Sequence, residues 1–311
     1  TEIYTLSLHD ALPISHELRD ENGGGQRRHG QVEFLLAELR GMLGKDLLVC
    51  LDHEGGRVNR LKDFLGLIPS AQQLGLVGDA DLAQRHGVLA GRLMRLLGFN
   101  WNLCPVVDLA LMRQVDNSVS DRTWAADPAE VIRLAGAFAD GLTSQGVFAC
   151  AKHFPGYGAA NKDPHLVLPR VDRTRSQLLE TDLVPYKKLL RGRAKPIPTV
   201  MIGHGHITAF HKNPVPASVS EKILTDLLRK RMRFGGVVIT DDLEMGAITR
   251  VMTVEEAAVK TLLAGAAGLV LAFPLRTAVL IGMALCQVGE FSFILAKVGI
   301  SQGLLSGHSY Q

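Results

Sequence analysis

The sequence predicts an α/β chain folded as a (β/α)8 barrel of TIM type, with about six βα units recognisable where a closed barrel has eight. Three observations predict it. Short apolar runs alternate with helical patterns, which implies parallel strands joined by helical crossovers. Each run stops abruptly at polar residues. Those polar residues recur at the C-terminal ends of at least four successive strands, where such barrels build their sites, whereas an open doubly wound sheet gathers its ligand groups at one switch point. With 311 residues, 47% of them hydrophobic, the chain is long enough for one large barrel or two smaller domains.

Taken in order, residues 1–31 carry little sign of a core. The segment from Thr1 to Ser15 resembles translated sequencing-adapter DNA, and a polar stretch with three successive glycines follows. Residues 1–31 are therefore set apart as a non-native or disordered leader, with no strand expected in them. From residue 32 the repeating unit begins: a helix over 32–43, a strand over 46–51, a helix over 81–97 and a strand over 100–107 ending at Asp108. Asp127-Pro128 supplies an N-cap and a proline at the first helical position for a helix to about residue 144. A strand over 146–150 follows. A helix over 176–190 then leads to a strand over 199–202, and a helix over 221–232, capped by Ser220, leads to a strand over 236–240. Thr253-Val-Glu-Glu256 has capping-box spacing and opens a helix to about residue 263, before a strand over 268–272.

The barrel unit is thus expected over 32–274. Residues 275–311 read differently, because 278–300 form a nearly continuous apolar run of about bilayer-spanning length, interrupted by Gln287, Glu290 and Lys297. Through Gln287-Val-Gly-Glu-Phe-Ser-Phe-Ile-Leu-Ala-Lys297 it resembles a helix of bacterial monovalent-cation/proton antiporters. A final amphipathic barrel helix is the other reading. Membrane contact is expected only if this tail is genuine.

Composition narrows the partners. Net charge is +3, and the basic clusters at 187–195 and 229–233 follow amphipathic helical patterns without interleaved aromatics, so a solvated face is expected rather than a nucleic-acid groove. Cys50, Cys104, Cys150 and Cys286 show no Cys-x-x-Cys spacing and read as buried thiols of a reducing compartment. No signal-peptide pattern opens the sequence, which sets the cytoplasm as the expected location.

The chain is organised around Ala151-Lys-His-Phe-Pro-Gly-Tyr-Gly-Ala-Ala-Asn-Lys-Asp-Pro-His165. A buried strand delivers Lys152 and His153 into a Gly/Pro loop. Asp163 and His165 lie two apart in that loop, so a turn can set the carboxylate on one imidazole nitrogen and leave the other for proton transfer, although an incidental Asp-x-His on a surface loop would look the same. Pro164 between them fixes φ and removes a donor. Two further strand ends carry polar runs: Asp52-His-Glu-Gly-Gly-Arg-Val-Asn-Arg60 and Ile239-Thr-Asp-Asp-Leu-Glu-Met245.

These three motifs, in this order and over about residues 32–273, resemble the bacterial β-N-acetylhexosaminidases of glycoside hydrolase family 3. The resemblance implies a cofactor-free, metal-free, retaining exo-glycosidase that removes terminal β-linked N-acetylglucosamine from muropeptides in cell-wall recycling, acting as a monomer on a small-molecule sugar. It implies Asp241 as the nucleophile that forms a glycosyl ester, His165 as the acid/base in place of the second carboxyl group that retaining enzymes usually set about 5 Å away, and Asp163 as its orienting partner. Substrate binding is carried over to Asp52, Arg60, Arg122, Lys152 and His153. Several positions depart from the family's pattern: His53 stands where Gln is usual, Tyr157 replaces the second His of Lys-His-Phe-Pro-Gly-His-Gly, Ala159 and Pro164 replace polar residues, and Asn117-Ser-Val-Ser-Asp-Arg122 matches only approximately. A rival reading is a metal-dependent barrel hydrolase with His153, His165, His204, His206 and Asp241 as ligands. Another is an inert fragment with open barrel edges.

Overall fold

The computed structural model describes residues 5–7, 48–62, 66–112 and 114–269, the side chains running from residue 48 to residue 265. Six strands form one parallel sheet: β1 (Thr5–Ser7), β2 (Leu48–Leu51), β5 (Trp101–Asn102), β6 (Phe148–Phe154), β8 (Thr199–Ile202) and β10 (Val237–Thr240), in that spatial order. The order never reverses, so the sheet has no switch point and is an incomplete barrel rather than a doubly wound sheet. Two small ribbons sit beside it, β3 (His53–Gly55) with β4 (Val58–Asn59), and β7 (Arg170–Val171) with β9 (His206–Ile207).

Between the strands run α1 (Ala71–Val77), α2 (Ala80–Leu96) and α3 (Pro128–Ser144). A single helical turn (Arg175–Gln177), a π-helical turn (Leu178–Asp182) and α4 (Val184–Leu190) follow, then a π-helix (Lys222–Arg231), α5 (Gly246–Thr249) and α6 (Val254–Leu269). The caps explain the starts. Asp127 accepts from the Glu130 amide with Pro128 in the first turn, Ser70 and Gln73 close a capping box, and Thr253 accepts from the Glu256 amide.

Strand alternation sorts the core. On one face of the sheet Cys50, Trp101, Leu103, Cys150, Met201 and Ile239 pack together, and Trp101 Nε1 donates to Thr199 Oγ1 at 3.0 Å. On the other, Val49, Ala149, Ala151, Val200 and Ile202 pack against α2, α3 and α4. Helices α2 and α3 meet backbone to backbone: a Cβ at Gly87 would stand 2.1 Å from Phe138 O, and one at Gly141 would stand 2.3 Å from Gln84 O.

Four expectations change. A strand does occur in the leader, where Thr5 to Ser7 pair with Leu48 to Cys50; three residues are too few for a periodicity to reveal. The expected strand over 100–107 is paired as strand only at Trp101–Asn102, and regains a bridge at Val106 with Lys152; Pro105, which has no N–H to donate, interrupts the ladder. Parts of the helices expected over 176–190 and 221–232 are wound as π-helix, which apolar spacing over so few turns does not distinguish. Helix α6 continues through residues 268 and 269, where a strand was expected. The expected helix over 32–43, residues 270–272, the apolar run 278–300 and Cys286 lie outside the described residues. Cys50, Cys104 and Cys150 are buried thiols outside any disulfide. Among the described residues no helix is long and apolar enough to cross a membrane.

Candidate active site

Four strands of the sheet deliver polar groups to one place. Asp52 follows β2, Asp108 follows the β5 segment, Lys152 and His153 close β6, and Asp241 follows β10. The β3–β4 ribbon adds Arg57 and Arg60, and the 3-10 turn Ser120–Arg122 adds Arg122. A cavity of about 450 Å³ is lined by Asp52, Arg60, Arg122, Lys152, His153, Asp163, His165 and Asp241, so all eight residues singled out from the sequence share one wall. Arg57, Val58, Ser118, Tyr157, Pro164, Met201, Asp242 and Met245 complete it.

Its floor is an ion-pair network. Lys152 Nζ lies 2.6 Å from Asp52 Oδ1 and 2.5 Å from Glu54 Oε1. Arg122 grips Glu54 with two bonds of 2.8 Å, donates to Ser118 O at 3.0 Å and reaches His153 Nε2 at 3.2 Å. Burial alone would push the Glu54 carboxyl up, but Arg122 and Lys152 outweigh it and hold it well below the carboxylate range. Burial would likewise strip the proton from Lys152, yet Asp52 and Glu54 raise its pKa. The guanidinium of Arg122 therefore comes to the cavity largely occupied, and Arg60 stands exposed at the rim.

His153 is fixed by Asp108. Asp108 Oδ2 accepts from the His153 amide at 3.2 Å and faces its Nδ1 at 2.8 Å, while Oδ1 accepts from the Tyr157 amide at 2.8 Å. With a carboxylate at Nδ1 and a guanidinium donor at Nε2, the arrangement fits a ring protonated at Nδ1. The Tyr157 ring stacks on His153 at 5.2 Å, and its hydroxyl accepts from the His204 amide.

Asp241 is half-buried. Burial raises its pKa, but His153, His204 and Lys152, joined by the Asp242 amide at 3.0 Å, outweigh that effect and leave it below the ordinary aspartate value. A carboxylate kept ionised in such a half-buried place is the state a nucleophile requires. Across the cavity Asp163 Oδ1 accepts from the His165 amide at 2.9 Å and holds its Nδ1 at 2.7 Å, with the imidazole side chain 59% exposed. Nε2 is the ring nitrogen that Asp163 does not hold, as the Asp-x-His spacing allows.

The metal reading meets a different geometry. His204 Nε2 lies 2.7 Å from the Asp242 carbonyl and Nδ1 2.7 Å from Ser218 Oγ, while His206 Nδ1 accepts from the Val215 amide at 3.3 Å. These imidazoles are engaged apart from one another, and among the described residues no cluster of three His, Cys, Asp or Glu is placed to hold a metal.

Sequence reasoning passed over Glu54, Asp108 and the inward placement of Tyr157. Glu54 lay inside a quoted motif and Asp108 at a predicted strand end, so both carried a signal. What was missing was the partner across the sheet.

The model of the Glycosyl hydrolase family 3 N terminal domain matches residues 27–283. A beta-hexosaminidase of Idiomarina loihiensis is 34% identical over 239 residues, covering 76% of this chain and 70% of that protein. One of Methylococcus capsulatus is 36% identical over 218 residues, covering 69% and 63%. The solved structure of a family 3 beta-N-acetylglucosaminidase from Paenibacillus sp. str. FPU-7 superposes with a TM-score of 0.72 at 29% identity, over 90% of this chain and 51% of that one. The chain thus spans roughly two-thirds of the length of those curated relatives and half of that structure.

Proposed function

The chain belongs to glycoside hydrolase family 3, and on that footing we propose that it is a retaining exo-β-N-acetylglucosaminidase, acting on terminal β-linked N-acetylglucosamine of muropeptides during cell-wall recycling. The observation that carries the reading is the shared cavity: a half-buried carboxylate with a lowered pKa, Asp241, and an exposed imidazole oriented by Asp163, His165, line the same 450 Å³ space.

The chemistry follows from those two groups. An Asp241 carboxylate oxygen attacks the anomeric carbon as the glycosidic C–O bond breaks, and the His165 imidazolium gives the departing oxygen its proton. The same nitrogen then takes a proton from water, whose oxygen displaces Asp241 and releases the sugar with its configuration retained. Asp163 holds the opposite edge of the ring throughout. Asp52, with one oxygen on Lys152, is placed to accept from sugar hydroxyls, while Lys152 and His153 shape the floor and Arg60 the rim. The relatives named beta-hexosaminidase support the sugar; the muropeptide and the recycling role rest on the resemblance. Three buried cysteines outside any disulfide favour a reducing compartment, the cytoplasm.

The test is hydrolysis of p-nitrophenyl β-N-acetylglucosaminide by this chain and by Asp241→Asn, with the first-formed anomer followed by NMR. We expect β-product first and a loss of at least about 10³-fold in kcat/KM for the variant. Undiminished Asp241→Asn activity, or α-product first, would overturn the assignment.

A further inference from the structure

We propose that Gly246 is a positioning residue for His165: it forms a seat, directly after the Asp241 strand, on which the backbone of the 163–166 loop rests. This inference rests on the reading of His165 as acid/base and deepens it.

Two amides make the seat. Gly246 N donates to His165 O at 3.0 Å, and Ala247 N donates to Pro164 O at 3.0 Å. Both open the turn of α5, where amides have no partner within the helix. The approach is closer than a side chain permits: a Cβ on Gly246 would stand 2.4 Å from Leu166 O and 2.7 Å from His165 O, both backbone atoms that no rotamer change can move. The φ of Gly246 does not lie in the left-handed range, so the glycine is required here by closeness and not by conformation.

The loop that rests there is internally stiff. Asp163 Oδ1 accepts from both the amide and Nδ1 of His165, and Asp163 O accepts from the amides of Leu166 and Val167 at 3.2 Å each. Displacing its backbone therefore displaces the imidazole, since two hydrogen bonds tie His165 to Asp163. Met245, the neighbour of Gly246, and Asp242 line the cavity with His165. One short segment, 241–247, thus carries the nucleophile at one end and the support for its proton donor at the other.

The experiment compares leaving groups. Removing or misplacing a general acid slows glycosides with basic leaving groups far more than those whose leaving group departs without a proton. In the full chain, kcat/KM is measured on N,N′-diacetylchitobiose and on 2,4-dinitrophenyl β-N-acetylglucosaminide for Gly246→Ala and His165→Ala, with thermal unfolding to establish that each is folded. We expect Gly246→Ala to lose about tenfold or more on the disaccharide and less than about threefold on the dinitrophenyl glycoside, in the pattern of His165→Ala. Equal losses on both substrates, or none, with His165→Ala retaining the selective pattern, would overturn the role of Gly246 alone. A His165→Ala enzyme without leaving-group dependence would overturn the acid/base reading and this inference with it. Should Gly246→Ala not fold, Ala247→Pro carries the same test, since proline is tolerated in a first helical turn and deletes the second amide of the seat.

Discussion

Lys152 Nζ stands 2.5 Å from Glu54 Oε1, and both side chains are almost wholly out of water. Neither charge has a solvent fallback, so each depends on the other and on Asp52 and Arg122 to remain ionised.

Glu54→Gln keeps the shape and deletes the charge. Lys152 and Arg122 are then buried with one anion fewer, and we expect a loss of about 3 kcal/mol or more in urea unfolding at pH 7. The pH dependence has a definite sign. The folded-state pKa of Glu54 is depressed, so its stabilisation is complete above the ordinary carboxylate value of 4.5 and drains as the pH falls below it. Glu54→Gln should flatten that acidic limb.

His53 gives a second, separate limb. Burial, with a smaller contribution from nearby His86, lowers its pKa from 6.5 to about 4. The unfolded chain takes up this proton near pH 6.5 and the folded one refuses it until about pH 4. Stability is therefore full above pH 6.5 and falls as the pH is lowered towards 4, by about 3 kcal/mol. His53→Gln should remove that difference between unfolding midpoints at pH 7 and pH 4.5.

Tyr157 and Gly203 are matched in space. A Cβ at residue 203 would stand 2.7 Å from Tyr157 Cζ, so Gly203→Ala should cost about 1–3 kcal/mol by overpacking. Tyr157→Ala should relieve much of that cost. Chemical denaturation of the two single variants and the double variant measures the coupling; additive losses would contradict the fit.

Asp108→Asn replaces an acceptor of the His153 amide and ring with a group that also donates. The ring loses its fixed edge while Asp241 and His165 are untouched. Steady-state kinetics should show KM raised about tenfold, with a smaller change in kcat.

Much of this was legible beforehand. Asp127-Pro128 starts its helix where the cap chemistry says, and Asp52, Lys152, His153 and Asp241 fall at strand ends because apolar runs stop there. Asp163 and His165 make the contact their spacing allows. What was hidden depended on distances across the sheet. Arg122 read as a substrate-binding residue, and nothing local reveals that Glu54, 68 residues away, already occupies it. Nothing local singles out Gly246, because the carbonyls it admits belong to a loop some eighty residues earlier. The π-helical turns escaped because an apolar stripe of two or three turns has no resolvable period.

The seam between α2 and α3 bears on how this molecule tolerates change. Where peptide groups touch across Gly87 and Gly141, the spacing of the two helices is set by main-chain thickness and is indifferent to which side chains surround it. These helices are the crossovers into β5, which Asp108 follows, and β6, which carries Lys152 and His153. The seam works as a gauge block: outer helical residues can diverge widely while the register of the sugar-facing residues stays put, and a methyl group at either glycine would shift that register from outside the cavity.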